Sequence, residues 1–255
     1  RLSASGALED SADGNRRLYF LGGDFNNLRR KGGFPSYVAT GLNDRGVLGR
    51  VQRARDLLVV PAVAHDNFAA VAQLCRATPG CAAAYGIHPL YVMQAKEADL
   101  NVLRDWLARE KPVAVGEIGL DGYVADVDPA RQEFFFVEQL KLAREFDLPA
   151  LLHVRRAVDQ ILKHLRRIRV RGGIAHAFNG SRQQADEFIK LGFKLGFGGA
   201  MTFSGSTRIR ALAAELPLDA IVLETDAPDI PPAWLNGGRN APGELARIAD
   251  TLAEL

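Results

Sequence analysis

From about residue 57 onward, short apolar runs alternate with longer stretches in which apolar residues recur at helical spacing. Seven runs are nearly continuous in hydrophobic residues, which predicts strands buried on both faces. These predicted strands cover residues 57–63, 82–87, 113–118, 150–154, 173–177, 194–198 and 221–225. Predicted helices lie between them, at residues 67–76, 100–109, 129–146, 157–168, 181–191 and 206–215. Such βα repetition is typical of a parallel sheet.

The repeating pattern predicts an α/β fold, specifically a (β/α)8 TIM barrel formed by a single domain. An open doubly wound sheet is the alternative, but no Gly-rich phosphate fingerprint follows any predicted strand. The one strand still missing, the first of the barrel, is expected within an atypical N-terminal segment, residues 1–56, where residues 18–21 are the one clear strand candidate. Residues 57–255 are expected to form the rest of the barrel, with a truncated final helix.

Three details of the helical segments can be tested by the structure. In the predicted helix at residues 129–146, every third position is apolar from Phe134 to Phe146, which predicts a buried stripe that includes Phe134. Ser181 is the expected N-cap of the next helix but one. His164 lies among Lys and Arg residues and is expected on the surface.

Composition narrows the class of protein. The 255 residues are 47% hydrophobic and 24% charged, which predicts a folded core, and a net charge of +2 gives no global field that favours nucleic acid or membranes. No apolar run approaches the roughly 18 residues that cross a bilayer. The two cysteines, Cys75 and Cys81, have no metal-ligand spacing, and we expect reduced thiols and a cytoplasmic protein.

Polar side chains close several of the apolar strands, at the end where TIM barrels build their active sites. They are His88, Glu117, His153, His176 and Asp226. One such residue alone is most often a structural group, but the convergence of Glu117, His153, His176 and Asp226 on one barrel axis favours a metal centre. Imidazole nitrogens together with carboxylate oxygens suit Zn²⁺, Mn²⁺ or a related divalent ion.

The motifs around these residues resemble the TatD family of metal-dependent hydrolases. They are Gly86-Ile-His-Pro89, Val115-Gly-Glu-Ile-Gly-Leu-Asp121, Asp147-Leu-Pro-Ala-Leu-Leu-His153-Val-Arg155, His176-Ala-Phe-Asn-Gly180 and Glu224-Thr-Asp-Ala-Pro228, in order along residues 57–250. The resemblance implies a TIM barrel of the amidohydrolase type, divalent metal ions, and hydrolysis of phosphodiester bonds, commonly as a deoxyribonuclease that works from 3′ to 5′.

Residue roles follow from the resemblance. It implies that Glu117, His153, His176 and Asp226 are metal ligands, with Asp226 and Glu117 as catalytic residues. Three further residues are expected to bind substrate: His88, Arg155 and Asp121. The expected cofactors are one or two divalent metal ions, Zn, Mg or Mn. The expected partner is DNA or a small phosphodiester, with no membrane, and the protein is expected to be a monomer.

One family feature is missing. Family members open with a first strand that ends in His-x-His, and this sequence contains no His-x-His. We therefore expect a divergent, mis-started or frame-shifted N-terminal segment and one incomplete metal position, left with Glu117 and Asp226 alone. Two alternatives to a nuclease stay open. One is an impaired barrel that binds metal or nucleic acid without turnover; the other is an amidohydrolase of a small cyclic amide or lactone.

Overall fold

The computed structural model describes residues 18–20 and 57–255. Eight parallel strands form one sheet in which each strand pairs with the next along the chain. They are β1 (Leu18–Phe20), β2 (Leu57–Pro61), β3 (Cys81–Tyr85), β4 (Ala114–Asp121), β5 (Ala150–Arg155), β6 (Gly173–Ala175), β7 (Phe193–Phe197) and β8 (Ile221–Leu223). β1 also lies against β8, so the sheet curls into a barrel. The predicted TIM-barrel fold is confirmed, with a strand at residues 18–20 as its first.

A helix follows each strand from β2 to β8. The helices are α1 (Phe68–Ala77), α2 (Asp99–Glu110), α3 (Pro129–Glu145), α4 (Val158–Arg167), α5 (Arg182–Lys190), α6 (Thr207–Glu215) and α7 (Leu245–Ala253). Ser181 is the N-cap of α5, as predicted, because its hydroxyl accepts the N–H of Gln184 at 3.2 Å. Among the described helices, none combines the length and apolarity needed to cross a membrane.

The barrel encloses its own small core. Six strands each contribute one residue to a buried apolar cluster: Val59, Ala84, Ala114, Leu151, Ile174 and Val222. The neighbouring strand residues point outward and pack against the helices in a larger cluster. Apolar side chains therefore fill the interior of the barrel, and its polar side chains lie at the carboxyl ends of the strands.

The buried face of α3 differs from the predicted stripe. Phe134 is 38% exposed, whereas Phe135 and Phe136 are fully buried. Two glutamines, Gln132 and Gln139, lie on the same buried face. The prediction was wrong for Phe134, whereas Leu140 and Ala143 of the same stripe are buried as predicted. A spacing of three drifts around a helix of 3.6 residues per turn, so the stripe leaves the buried face at Phe134.

The surface position expected for His164 is also wrong. His164 is buried on α4, where its Nε2 lies 2.8 Å from Oε1 of Glu133 and its ring packs edge-on against Phe136. The Lys and Arg residues beside His164 in the sequence suggested an exposed position. Helical spacing instead places His164 on the buried face of α4, with Ile161 and Leu165.

Candidate metal centre

Three imidazoles surround one carboxylate oxygen at the mouth of the barrel. Oε1 of Glu117 lies 2.7 Å from Nε2 of His176, 3.1 Å from Nδ1 of His153 and 3.3 Å from Nε2 of His88. Glu117 lies in β4 and His153 in β5, while His88 and His176 follow β3 and β6. Parallel strands end on the same side of a barrel, so four separate chain segments deliver these groups to one point.

Hydrogen bonds fix the direction of the His88 ring. Its Nδ1 accepts the N–H of Leu90 at 3.2 Å, which leaves Nε2 facing Glu117. The preceding residue is held by the buried amide of Gln139, which accepts the N–H of Ile87 at 2.6 Å and donates to its carbonyl at 3.0 Å. The loop after β3 is therefore anchored to α3 just before the histidine.

Asp121 lies behind His153. Its Oδ2 is 3.0 Å from Nε2 of His153, and its Oδ1 accepts the backbone N–H groups of Tyr123 and Val124 at 2.8 and 3.1 Å. A carboxylate bonded to the far nitrogen of an imidazole fixes the ring orientation and its tautomer. These contacts place Asp121 as a support for His153; its predicted contact with substrate stays a prediction.

Two further carboxylates approach His176 from the end of β8. The Nδ1 atom of His176 lies 3.7 Å from Oδ1 of Asp226 and 3.8 Å from Oε1 of Glu224, which also accepts the N–H of Ala177 at 2.6 Å. Glu224 fits here because residue 196 is glycine, and a methyl group at Gly196 would overlap its Oε2. Asp226 has a backbone φ of 55°, a value uncommon outside glycine and often found at functional sites.

Two oxygens of this pair are buried and receive no hydrogen bond from the described part of the chain. They are Oε2 of Glu224 and Oδ1 of Asp226. Both residues line a cavity of about 20 Å³, which is room for about one water molecule. Buried polar atoms are normally satisfied, so these oxygens are ready acceptors for a cation or a water molecule.

The charges of the cluster support one another. Burial by itself would raise the pKa of Glu117, but the charges of His176 and His88 outweigh it and hold that pKa well below its usual range. Burial would lower the pKa of His176, yet the carboxylates of Glu117 and Asp226 raise it well above the usual value. The pair is therefore ionised at neutral pH.

The outer members of the cluster behave differently. Burial raises the pKa of Asp226 to about 7, against the opposing charge of His176. Burial lowers the pKa of His88. Burial also opposes the charged form of His153, but hydrogen bonds to Asp121 and Glu117 leave its pKa raised. Such divergent values in one pocket are typical of a functional site.

The donor set fits a divalent metal. Ligand atoms of His88, Glu117 and His153 all lie within 4.8 Å of one another, and His176 and Asp226 border the same cluster. Imidazole and carboxylate donors suit Zn²⁺ and Mn²⁺. All four predicted ligands are thus at one place, and His88, predicted to contact substrate, stands among the metal-competent groups. Arg155 lies at the rim, with its Nη1 3.9 Å from Oδ2 of Asp121.

A parallel barrel with imidazoles and carboxylates at its mouth is the architecture of a metal-dependent hydrolase. The sequence model of the family described as TatD related DNase matches residues 40–255. This chain therefore belongs to the TatD family of metal-dependent hydrolases.

Individual relatives support the same family assignment. The chain is 42% identical over 201 residues to the uncharacterized metal-dependent hydrolase YjjV of Escherichia coli K12, with 78% of each chain covered. The crystal structure of YjjV matches with a TM-score of 0.82 at 37% identity, covering 93% of this chain and 90% of that one. The 3'-5' ssDNA/RNA exonuclease TatD of Yersinia pseudotuberculosis is 30% identical over 226 residues, covering 85% of this chain and 83% of the relative.

The sequence did not single out Glu224, Gln132 or Gln139 as contributors to the site. Glu224 precedes Asp226 by two residues in the motif Glu224-Thr-Asp-Ala-Pro228, so its position near the metal centre could have been predicted from the sequence. The glutamines gave a weaker signal: they are polar residues seven positions apart, a spacing that returns to the same helix face. Gln132 holds Asp121 as Gln139 holds Ile87, through bonds of 2.7 and 3.1 Å to its backbone.

Proposed function

We propose that this chain is a metal-dependent phosphodiesterase that removes nucleotides from the 3′ end of single-stranded DNA. The observation that carries the proposal is the Glu117 carboxylate, which three imidazoles approach within 3.3 Å. A shared carboxylate of this kind can hold one ion or bridge two. The choice of DNA as substrate is supported by the family's description and by the relative named as an exonuclease.

In this proposal Glu117, His153, His176 and Asp226 hold Zn²⁺, Mg²⁺ or Mn²⁺, and His88 offers a further nitrogen. A bound divalent ion would polarise the phosphodiester and make a water molecule more acidic. The buried carboxylate oxygens beside His176 supply negative charge to offset the ion's charge.

The chain's own groups would handle the proton and the phosphate. In the metal-free chain burial raises the pKa of Asp226 to about 7. With the ion bound, its carboxylate would be positioned to accept the proton of the attacking water. Arg155 is half exposed at the rim, where its planar guanidinium can meet two phosphate oxygens at once. Asp121 keeps the His153 ring in position during the reaction.

The test uses single-stranded DNA labelled at its 5′ or its 3′ end. The purified chain is stripped with EDTA and then supplied with Mg²⁺, Mn²⁺ or Zn²⁺. We expect metal-dependent release of the 3′ label first and gradual shortening of the 5′-labelled strand. Glu117→Gln should be inactive. Glu138→Gln makes the same chemical change and should cleave normally, because Glu138 lies on α3 away from the barrel mouth, where it pairs with Lys141.

A second candidate rests on the absence of His-x-His from the sequence. With a single complete metal position, the barrel would bind one ion and turn nothing over. One bound ion without DNA cleavage by the folded chain would favour that reading and overturn the proposed activity. Turnover of a cyclic amide or lactone instead of DNA would favour an amidohydrolase.

A further inference from the structure

An aromatic ring at the rim of the barrel carries two guanidinium groups. The guanidinium carbon of Arg155 lies 4.0 Å from the ring centre of Tyr123, and that of Arg156 lies 4.7 Å from it. Tyr123 is 53% exposed, and both arginines are exposed as well. Cations within about 6 Å of a ring face are attracted to its negative face, so one ring holds two neighbouring positive charges in place.

The backbone brings these groups together. Asp121 and Arg155 are register neighbours at the ends of β4 and β5, and Gly122 donates its N–H to the carbonyl of Arg155 at 2.8 Å. A Cβ at Gly122 would stand 2.7 Å from the carbonyl oxygen of Arg156, so only glycine lets the two strand ends approach so closely. Asp121 also accepts the N–H of Tyr123, which fixes the start of the loop that carries the ring.

Few negative charges offset the positive charges of Arg155 and Arg156. Within the described residues, the carboxylate in ion-pair range of Arg155 is Asp121, at 3.9 Å, and this carboxylate already binds His153 and two backbone N–H groups. Two guanidinium groups within 5 Å of one ring centre make the rim locally positive, so an anion beside the ring would be attracted to both. Guanidinium forks match phosphate oxygens in shape and charge.

The position of the cluster defines which phosphate it would meet. A single carboxylate, Asp121, separates Arg155 from His153 of the candidate metal centre. We infer that Tyr123, Arg155 and Arg156 form a clamp for the substrate phosphate next to the one that is cleaved. This inference rests on the proposed phosphodiester substrate. It makes Tyr123 a positioning residue and makes a strand with several phosphates a better substrate than a compound with one.

Binding without metal tests the clamp separately from catalysis. Fluorescence anisotropy of a short labelled oligothymidylate is measured in EDTA at several salt concentrations. Arg156→Gln should weaken binding about tenfold and reduce the slope of log affinity against log salt by about 0.7, the value for one lost phosphate contact on a single strand.

The matched control is Arg109→Gln. Arg109 also stacks on an aromatic ring, 4.3 Å from the centre of Trp106, but it lies near the end of α2, just before β4 begins and away from the mouth. The variant loses the same charge and should keep the salt slope of the wild type. Tyr123→Leu should weaken oligonucleotide binding as Arg156→Gln does. Tyr123→Phe keeps the aromatic ring and should bind the oligonucleotide as the wild type does.

A kinetic comparison gives the second readout. The ratio of kcat/KM for the oligonucleotide to kcat/KM for a dinucleotide with one phosphate should fall about tenfold in Arg156→Gln. Equal salt slopes for Arg156→Gln and Arg109→Gln, or no binding of the oligonucleotide by the wild type, would overturn the clamp. Arg156-dependent binding without any cleavage would uphold the clamp and overturn the proposed function; cleavage with unchanged slopes would do the reverse.

Discussion

The Nε2 atom of His176 lies 2.7 Å from Oε1 of Glu117, and both side chains are almost completely buried. A buried ion pair loses in desolvation much of what it gains in attraction, so it contributes little to net stability. This pair joins β4 to the end of β6 at the mouth of the barrel, where its charges face two further histidines. A role in holding a cation accounts for it better than a role in folding.

Removing the Glu117 charge should change the protonation of His176. In Glu117→Gln the imidazolium loses its nearest carboxylate, so the pKa of His176 should fall, as followed by NMR titration of the metal-free chain. The affinity for divalent metal should drop more than about a hundredfold. Glu138→Gln is the matched control. An unchanged His176 pKa in Glu117→Gln would show that the carboxylate does not govern this imidazole.

The stability of the metal-free chain should depend on pH through Asp226. Its pKa is about 7 in the folded chain and 3.8 ordinarily. Between these values the folded state keeps a proton that the unfolded state has lost, so the unfolding free energy falls as pH rises, by about 1.4 kcal/mol per pH unit for one proton.

Urea unfolding in EDTA between pH 4 and about pH 8 measures this dependence. The raised pKa of His176 adds to the loss above its ordinary value of 6.5. Asp226→Asn removes one titrating group and should flatten the fall between about pH 4 and pH 7. If that variant keeps the wild-type slope, Asp226 is not the group that titrates.

Gly196→Ala should disturb the site through Glu224. The added methyl group would overlap Oε2 of Glu224 and stand 2.9 Å from Cα of His176. We expect a loss of about 2 kcal/mol in unfolding free energy together with weaker metal binding. Gly205→Ala is the control, since nothing lies within 4 Å of its added carbon. Equal stability of the two variants in urea unfolding would contradict the close approach.

Gln139→Leu should loosen the His88 loop. Gln139 is fully buried, and its amide satisfies both the N–H and the carbonyl of Ile87. Leucine fills a similar space but leaves two buried backbone groups without partners, which should cost about 3 kcal/mol. The same substitution at exposed Gln160 on α4 should change stability by less than about 0.5 kcal/mol. If Gln139→Leu lowers the unfolding free energy no more than Gln160→Leu does, Gln139 does not have this role.

The fold could be predicted from the sequence because its signal is local and repeated. Each run of apolar residues near Val60, Leu151 or Val222 is too short and too continuous for an amphipathic helix, and each is followed by a helical period. The convergence of Glu117, His153 and His176 then followed from topology alone, because parallel strands end on one side.

What could not be predicted depends on side-chain direction and on contacts between distant segments. The sequence does not show that Gln139 turns inward to bind Ile87, 52 residues away, and the predicted stripe was wrong at Phe134, which is exposed. The stacking of Arg155 and Arg156 on Tyr123 likewise arises from a close approach of two strand ends. The predicted atypical N-terminal segment, residues 1–56, lies outside the described residues apart from residues 18–20.

Metal content tests the central claim most directly. The purified chain and its Glu117→Gln and Glu138→Gln variants are dialysed against Zn²⁺ or Mn²⁺, and bound metal is counted by mass spectrometry while circular dichroism confirms folding. One or two ions per chain should bind to the wild type and to Glu138→Gln, and Glu117→Gln should lose them. A folded wild type without bound metal, or equal metal in all three proteins, would contradict a metal centre at Glu117.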